Sequence, residues 1–236
     1  MTNALFQSTA PLTLAQMDIT PVLKFFEYAI WFGMIVSASY GLFCVVLLMR
    51  RVAQKRFPGA AAEEAFLDDV GERLEQDDYD GVSQMCDTPE VWSRAVPQLI
   101  QIAILNRERP IKKIRQILGE RFERDVLANM EQTASWVNTV VKAAPMLGLL
   151  GTVVGMINAF KKIAGAADSG IDPSALAADI SFALFTTAAG LAIAIPLVIL
   201  GAAAAVRMSR LQDSVQESLG IFLEDLEESK LRTHPS

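Results

Sequence analysis

Three stretches of the chain contain no charged residue: Tyr28 to Met49, Ala143 to Phe160 and Ile180 to Val206. Each reaches or exceeds the roughly 18 residues that mark a membrane-crossing helix. At about 1.5 Å of rise per residue the third is longer than a hydrocarbon core of ~30 Å requires, so it is expected to tilt or to run out of the membrane on one side.

Between Arg50 and Lys142 the pattern changes to that of a polar helical region, rich in Ala, Glu, Arg and Leu, with turns expected at Phe57-Pro58-Gly59, Asp80-Gly81 and Arg109-Pro110. No strand-like alternation is present. From Ile111 onward, Ile114, Leu118, Phe122, Val126, Met130, Val137 and Val141 recur at three- and four-residue steps. That spacing puts one apolar stripe on a helix that leads into the second charge-free stretch. After the third stretch, Met208, Leu211, Val215, Leu219, Phe222 and Leu226 repeat at helical spacing through a charged tail. The stripes need a partner surface, which predicts an intracellular helical bundle built with the helices of residues 60–106. The fold class is therefore all-α: three transmembrane helices, two of them extending into a cytoplasmic bundle.

Composition agrees with that picture and narrows the chemistry. Apolar residues make up 52% of the 236-residue chain, above the ~45–50% of soluble domains. A net charge of −6 without a clustered basic face speaks against nucleic acid. Cys44 falls inside the first stretch and Cys86 in the polar region, so no disulfide framework is read. His234, the lone histidine, builds no metal site, and no cofactor is expected. The first twenty residues lack a basic n-region, so the first apolar run is read as a retained helix and not a cleaved signal.

Lys and Arg near the ends of the stretches set the orientation. Arg50, Arg51, Lys55 and Arg56 follow the first and Arg207 and Arg210 the third, against Lys24 before the first and Lys161 and Lys162 between the second and third. The N-terminus is thus expected outside, and the central region and tail inside. The domains follow: 1–27 periplasmic, 28–49 transmembrane, 50–142 cytoplasmic, 143–160 transmembrane, 161–179 a periplasmic loop with the start of helix 3, 180–206 transmembrane, and 207–236 a cytoplasmic C-terminal helix. Asp172-Pro173 is the expected helix start, an N-cap acceptor before a first-turn proline.

The candidate chemistry lies on small-residue faces. Ala144, Gly148, Thr152, Gly155 and Ala159 share one face of the second stretch; Ala183, Thr187, Gly190 and Ala194 share one of the third, with Thr186 on the adjoining edge. Such faces let helices approach closely. Two readings of the threonines stand at this point: each hydroxyl bonds the carbonyl one turn back and merely permits packing, or the hydroxyls line a polar seam that holds water or passes a proton. None of the three stretches holds Asp, Glu, His, Lys or Arg. Moving protons through a membrane ordinarily requires an ionisable group within it, so an acid from a second chain is expected.

Ala144-Pro145-Met146-Leu147-Gly148-Leu149-Leu150-Gly151-Thr152-Val153-Val154-Gly155-Met156 resembles the second-span signature of the ExbB/TolQ/MotA family. Ala183-Leu184-Phe185-Thr186-Thr187-Ala188-Ala189-Gly190-Leu191, followed by Ala194-Ile195-Pro196, resembles the third. With its order of one span, a large cytoplasmic segment, two spans and a helical tail, the chain is most similar to ExbB and TolQ. The resemblance implies a homo-oligomeric ring, expected to be a pentamer, in the bacterial inner membrane. It implies a pore that holds a single-span ExbD/TolR-like partner carrying a membrane Asp, with output through a TonB-like or TolA-like protein. It implies that Thr152 and Thr187, with Thr186 beside them, line the proton path, that Gly148, Gly151, Gly155 and Gly190 pack the pore wall, and that Pro145 and Pro196 kink their helices. Enteric relatives have Glu where this chain has Phe182, so no pore carboxylate carries over. Asp179, three residues earlier, is expected to be a solvated acid at a helix start.

A passive membrane scaffold is the alternative. A permease lacks an evident midplane site, and no enzymatic constellation appears.

Overall fold

A computed structural model describes residues 20–165, 170 and 172–233, and all regular structure among them is helical. His234 and most of the predicted N-terminal segment lie outside these residues. In chain order the elements are α1 (Thr20–Lys55), α2 (Ala60–Glu75), α3 (Tyr79–Cys86), α4 (Ala95–Leu105), α5 (Ile111–Arg121), a π-helical turn (Phe122–Leu127), α6 (Ala128–Gly165) and α7 (Pro173–Thr233). α1, α6 and α7 each carry one of the charge-free stretches, and each is long and apolar enough to cross a membrane.

The chain divides into two compact units, to both of which α1, α6 and α7 contribute. One comprises α1 as far as Ala38, α6 from Ala143 and α7 as far as Ile193. Its small core joins Leu23, Ile30 and Met34 of α1 to Val154 of α6, with Leu147, Ala189 and Ile193 packed around them and Trp31 set 5.7 Å from the ring of Phe185. Phe25, Phe32, Leu149, Phe160, Leu184 and Leu191 are exposed on its outside. An exposed apolar surface of this extent faces hydrocarbon or another protein.

The second unit comprises Ser39–Lys142 and Ala194–Ser236. Here α2 to α5 assemble with the neighbouring parts of α1, α6 and α7 on one continuous core. The tail stripe is buried as its spacing predicts, with Leu211, Val215, Phe222 and Leu226 each 1% exposed or less. Serines tie it down: Ser214 and Ser218 donate to Glu63 of α2 at 2.5 to 3.0 Å, and Ser229 lies 2.8 Å from the hydroxyl of Tyr79.

The stripe that begins at Ile114 is buried through Leu118, Phe122, Val126 and Met130. Four consecutive four-residue steps would drift about 40° each around a helix of 3.6 residues per turn. The π turn at Phe122–Leu127 widens the spiral where that drift accumulates and so keeps the row on one face.

Two sequence expectations are corrected. The Asp80-Gly81 pair lies inside α3, and the turn before it is made at Gln76 to Asp78. Asp78 N–H bonds Arg73 O at 2.9 Å and Asp77 N–H bonds Leu74 O at 3.2 Å, the paired bonds that close a helix on a left-handed residue. That residue is Asp77, at φ 56°, a short polar side chain that tolerates this region. Gly81 is needed for another reason: its N–H caps on Asp78 at 2.9 Å, and a Cβ there would fall 1.9 Å from Asp78 Oδ2. The second correction concerns the loop expected from Lys161. α6 continues through Lys161 and Lys162 to Gly165, and α7 starts at Pro173 behind Asp172, whose Oδ1 accepts from the N–H and hydroxyl of Ser174 at 2.9 and 2.8 Å.

Candidate functional site: the α6–α7 seam

Within the first unit α6 and α7 meet backbone to backbone, because the residues at the contact have almost no side chain. A Cβ placed on Gly148 would stand 2.8 Å from the Thr186 carbonyl oxygen and 3.0 Å from Thr187 Cα. One on Gly155 would meet the Asp179 carbonyl at 2.9 Å, and one on Gly190 the Ala144 carbonyl at 2.7 Å. Gly151 faces the side chain of Thr186, with Oγ1 2.2 Å from its would-be Cβ. These distances explain why four positions of the seam are glycine: any larger residue forces the helices apart.

The three threonines fall into different settings. Thr187 donates across the seam to the Gly148 carbonyl at 3.1 Å. Thr186 is fully buried, donates to Ala183 O on its own helix at 2.9 Å and lies 3.4 Å from Gly148 O. Thr152 donates to Leu149 O on its own helix at 2.6 Å, between the exposed side chains of Leu149 and Val153. The sequence placed Thr186 on the edge of the small-residue face; the structure puts it at the centre, because Gly151 leaves room for its side chain and for no other. Gly148 O is the point where both α7 hydroxyls converge. Pro145 and Pro196 sit within α6 and α7, which continue through them.

Polar groups gather at one end of the same unit. Asp179 pairs with Lys162 at 2.7 Å with its side chain only 16% exposed, and Lys162 also donates to Ala175 O at 3.1 Å. The expectation of a solvated helix-start acid at Asp179 is therefore corrected: it lies beyond the first turn of α7 and joins α7 to α6 through an ion pair. Sequence reasoning also passed over Glu27, whose Oε1 accepts from Asn158 Nδ2 at 2.6 Å. Glu27 stands one residue before the first charge-free stretch, and Asn158 is the amide inside the second. Asn158 and Lys162 are four residues apart on α6 and share a face. An amide in an apolar stretch beside a carboxylate at the edge of another was the available signal.

The seam is thus a narrow, tightly packed line of hydroxyls and backbone carbonyls with no titratable side chain among Ala144, Gly148, Gly151, Thr186, Thr187 and Gly190. It can pass hydrogen bonds along but has no group of its own to bind and release a proton.

Comparison with known proteins gives the family of the chain. A model of the MotA/TolQ/ExbB proton channel family matches residues 91–217, more than half of the chain. A biopolymer transport protein exbB1 of Vibrio cholerae is 53% identical over 55 residues, 23% of this chain and 24% of that protein. A putative biopolymer transport protein ExbB homolog of Methanothermobacter thermautotrophicus is 24% identical over 188 residues, 77% of this chain and 64% of that protein. A Tol-Pal system protein TolQ of Haemophilus influenzae is 26% identical over 154 residues, 62% and 64% of the two chains. The chain thus spans between about a quarter and just under two thirds of the length of these curated relatives. With this match and three helices able to span a bilayer, the chain is a membrane protein that belongs to the MotA/TolQ/ExbB proton channel family.

Proposed function

We infer that this chain forms the ring of an inner-membrane motor driven by the proton motive force. The ring is a homo-oligomer, expected to be a pentamer, set with its N-terminus in the periplasm and its C-terminal helix in the cytoplasm. It crosses the membrane at residues 28–49, 143–160 and 180–206, and residues 50–142 and 207–236 form the cytoplasmic bundle. A single-span ExbD/TolR-like partner supplies a membrane aspartate, and a TonB-like or TolA-like protein carries the work to the outer membrane, for nutrient import or envelope maintenance. The chain itself is not an enzyme.

The observation that carries this reading is the Thr187–Gly148 contact within a glycine-lined seam free of acids. A hydroxyl bonded to a carbonyl in hydrocarbon marks a polar line where packing alone would favour an apolar residue, and a line without a titrating group requires one from elsewhere. Thr187, Thr186 and Thr152 are assigned to the ion path, and Gly148, Gly151, Gly155 and Gly190 to the wall that holds it. Co-purification from native membranes tests this. A small single-span chain with a membrane Asp should accompany the ring, and a protonophore should abolish the associated outer-membrane function. A complex without such a chain, with activity indifferent to the protonophore, refutes it.

A passive scaffold is the second reading, favoured by Thr152 and Thr186, whose hydroxyls are satisfied by carbonyls one turn back in their own helices. A scaffold loses assembly or nothing when Thr152 or Thr187 becomes Val or Ala, whereas a motor assembles and stops.

A further inference from the structure

Arg51 and Lys55 lie four residues apart on α1 and therefore on one face. Within the second unit that face looks onto the π turn and the start of α6, and the space between them is a cavity of about 250 Å³ lined by Arg51, Gln54, Lys55, Asp125 and Asn129. Both cations spend their hydrogen bonds on neutral acceptors. Arg51 donates to Asn129 O at 3.3 Å and Thr133 Oγ1 at 3.2 Å, and Lys55 donates to Gln98 Oε1 at 2.8 Å. The acid that lines the cavity, Asp125, has its Oδ2 3.4 Å from Arg121. Two half-buried positive charges therefore share a cavity without a carboxylate paired to either among the described residues. Burial lowers the pKa of the Lys55 ammonium, and the field of Asp125 offsets this only in part. Placing charges out of water is costly when the counter-charge is incomplete; Asp125 offsets only part of that cost at Lys55, and an anion held between the two cations offsets more of it. A guanidinium beside an ammonium is a combination suited to phosphate oxygens.

We propose that this cavity binds the phosphate of an anionic phospholipid, held between Arg51 and Lys55. The depth decides for a lipid over a soluble phosphate. Along a helix rising about 1.5 Å per residue, Arg51 and Lys55 lie ~3 and ~9 Å beyond Met49, the last residue of the charge-free stretch. A headgroup layer extends about 5–8 Å outside the hydrocarbon core on each side, so the two side chains bracket its depth. The proposal rests on the membrane placement of residues 28–49 and is independent of the motor reading, since its test reads lipid retention and not partner or transport.

The test is native mass spectrometry of the purified full-length protein, titrated with phosphatidylglycerol, phosphatidylcholine or inorganic phosphate. The wild type is expected to retain phosphatidylglycerol and to release phosphatidylcholine. Arg51→Gln with Lys55→Gln should weaken that retention by about tenfold or more, as loss of charge-assisted bonds implies. Arg115→Gln, a change of charge on α5, should leave it unaltered. Should the double variant fail to fold, Lys55→Gln alone should weaken retention, and the charge-preserving pair Arg51→Lys with Lys55→Arg should keep it. Equal retention by the wild type and the charge-removing variants overturns the site. Saturation by inorganic phosphate with no preference between the two lipids overturns the assignment to a lipid.

Discussion

Thr187 reaches across the α6–α7 seam to the carbonyl oxygen of Gly148 at 3.1 Å, and the two residues hold each other in place. The hydroxyl can reach the backbone only because position 148 has no side chain, and the carbonyl gains a second donor only because position 187 is not valine. Thr187→Val is expected to remove the bond while leaving the proposed ring assembled. Bonds of this kind in membrane proteins contribute about 0.6 kcal/mol on average and up to about 1.7, so the melting temperature in detergent should fall only slightly. Proton-driven output should be lost and Thr187→Ser should restore it. Unchanged output in Thr187→Val removes this hydroxyl from the ion path.

Gly151→Ala puts a methyl into the side chain of Thr186, which is fully buried and bonded to Ala183 O. Overpacking of this kind costs about 1–3 kcal/mol. Gly119 on α5 has nothing within 4 Å of a would-be Cβ, so Gly119→Ala should stabilise by about 0.5–1 kcal/mol. Thermal unfolding of both variants in detergent checks the contrast. A Gly151→Ala protein as stable as wild type would show that the seam is looser than described.

Asp225 supplies a pH dependence. Burial, then the charges of Glu228, Glu224, Glu75 and Asp68, raises its carboxyl above the usual range. With the folded pKa above the unfolded one, the ionised form destabilises the native state at neutral pH, and this is relieved as pH falls through the folded pKa. Asp225→Asn should therefore stabilise the protein at pH 7.5, by less than about 1 kcal/mol after solvent screening, and the gain should shrink as the pH is lowered. Melting curves of both proteins across pH check it; a variant less stable than wild type at neutral pH contradicts it.

Cys86 is 3% exposed, and burial pushes its thiol up to about 12. Since the thiolate is the reacting form, alkylation at pH 8 should be slow in the folded protein and fast once α3 is unfolded. Modification at the rate of a free cysteine under native conditions would show that the second unit opens readily.

The three long helices were legible because absence of charge over about eighteen or more residues has few other meanings, and the tail stripe because Leu211 to Leu226 keeps strict helical spacing. The turn at Asp77 was missed because sequence favours glycine for a left-handed residue, and Gly81 nearby drew the assignment to itself, although its glycine answers to the Asp78 cap. Thr186 was misjudged because face arithmetic ignores that Gly151 opens a slot on the opposite helix. Asp179 and Glu27 acquire meaning only from partners 17 and 131 residues away, at Lys162 and Asn158. Spacing along one helix does not reveal such pairings.

The most direct test of the account is proton flux into liposomes holding the purified chain alone or together with the single-span ExbD/TolR-like protein proposed above as its partner. A seam of hydroxyls and glycines without an acid predicts no flux above that of empty liposomes for the chain alone. With the partner present, it predicts flux that disappears when the partner's membrane Asp becomes Asn. Rapid, specific proton conduction by this chain on its own would contradict it.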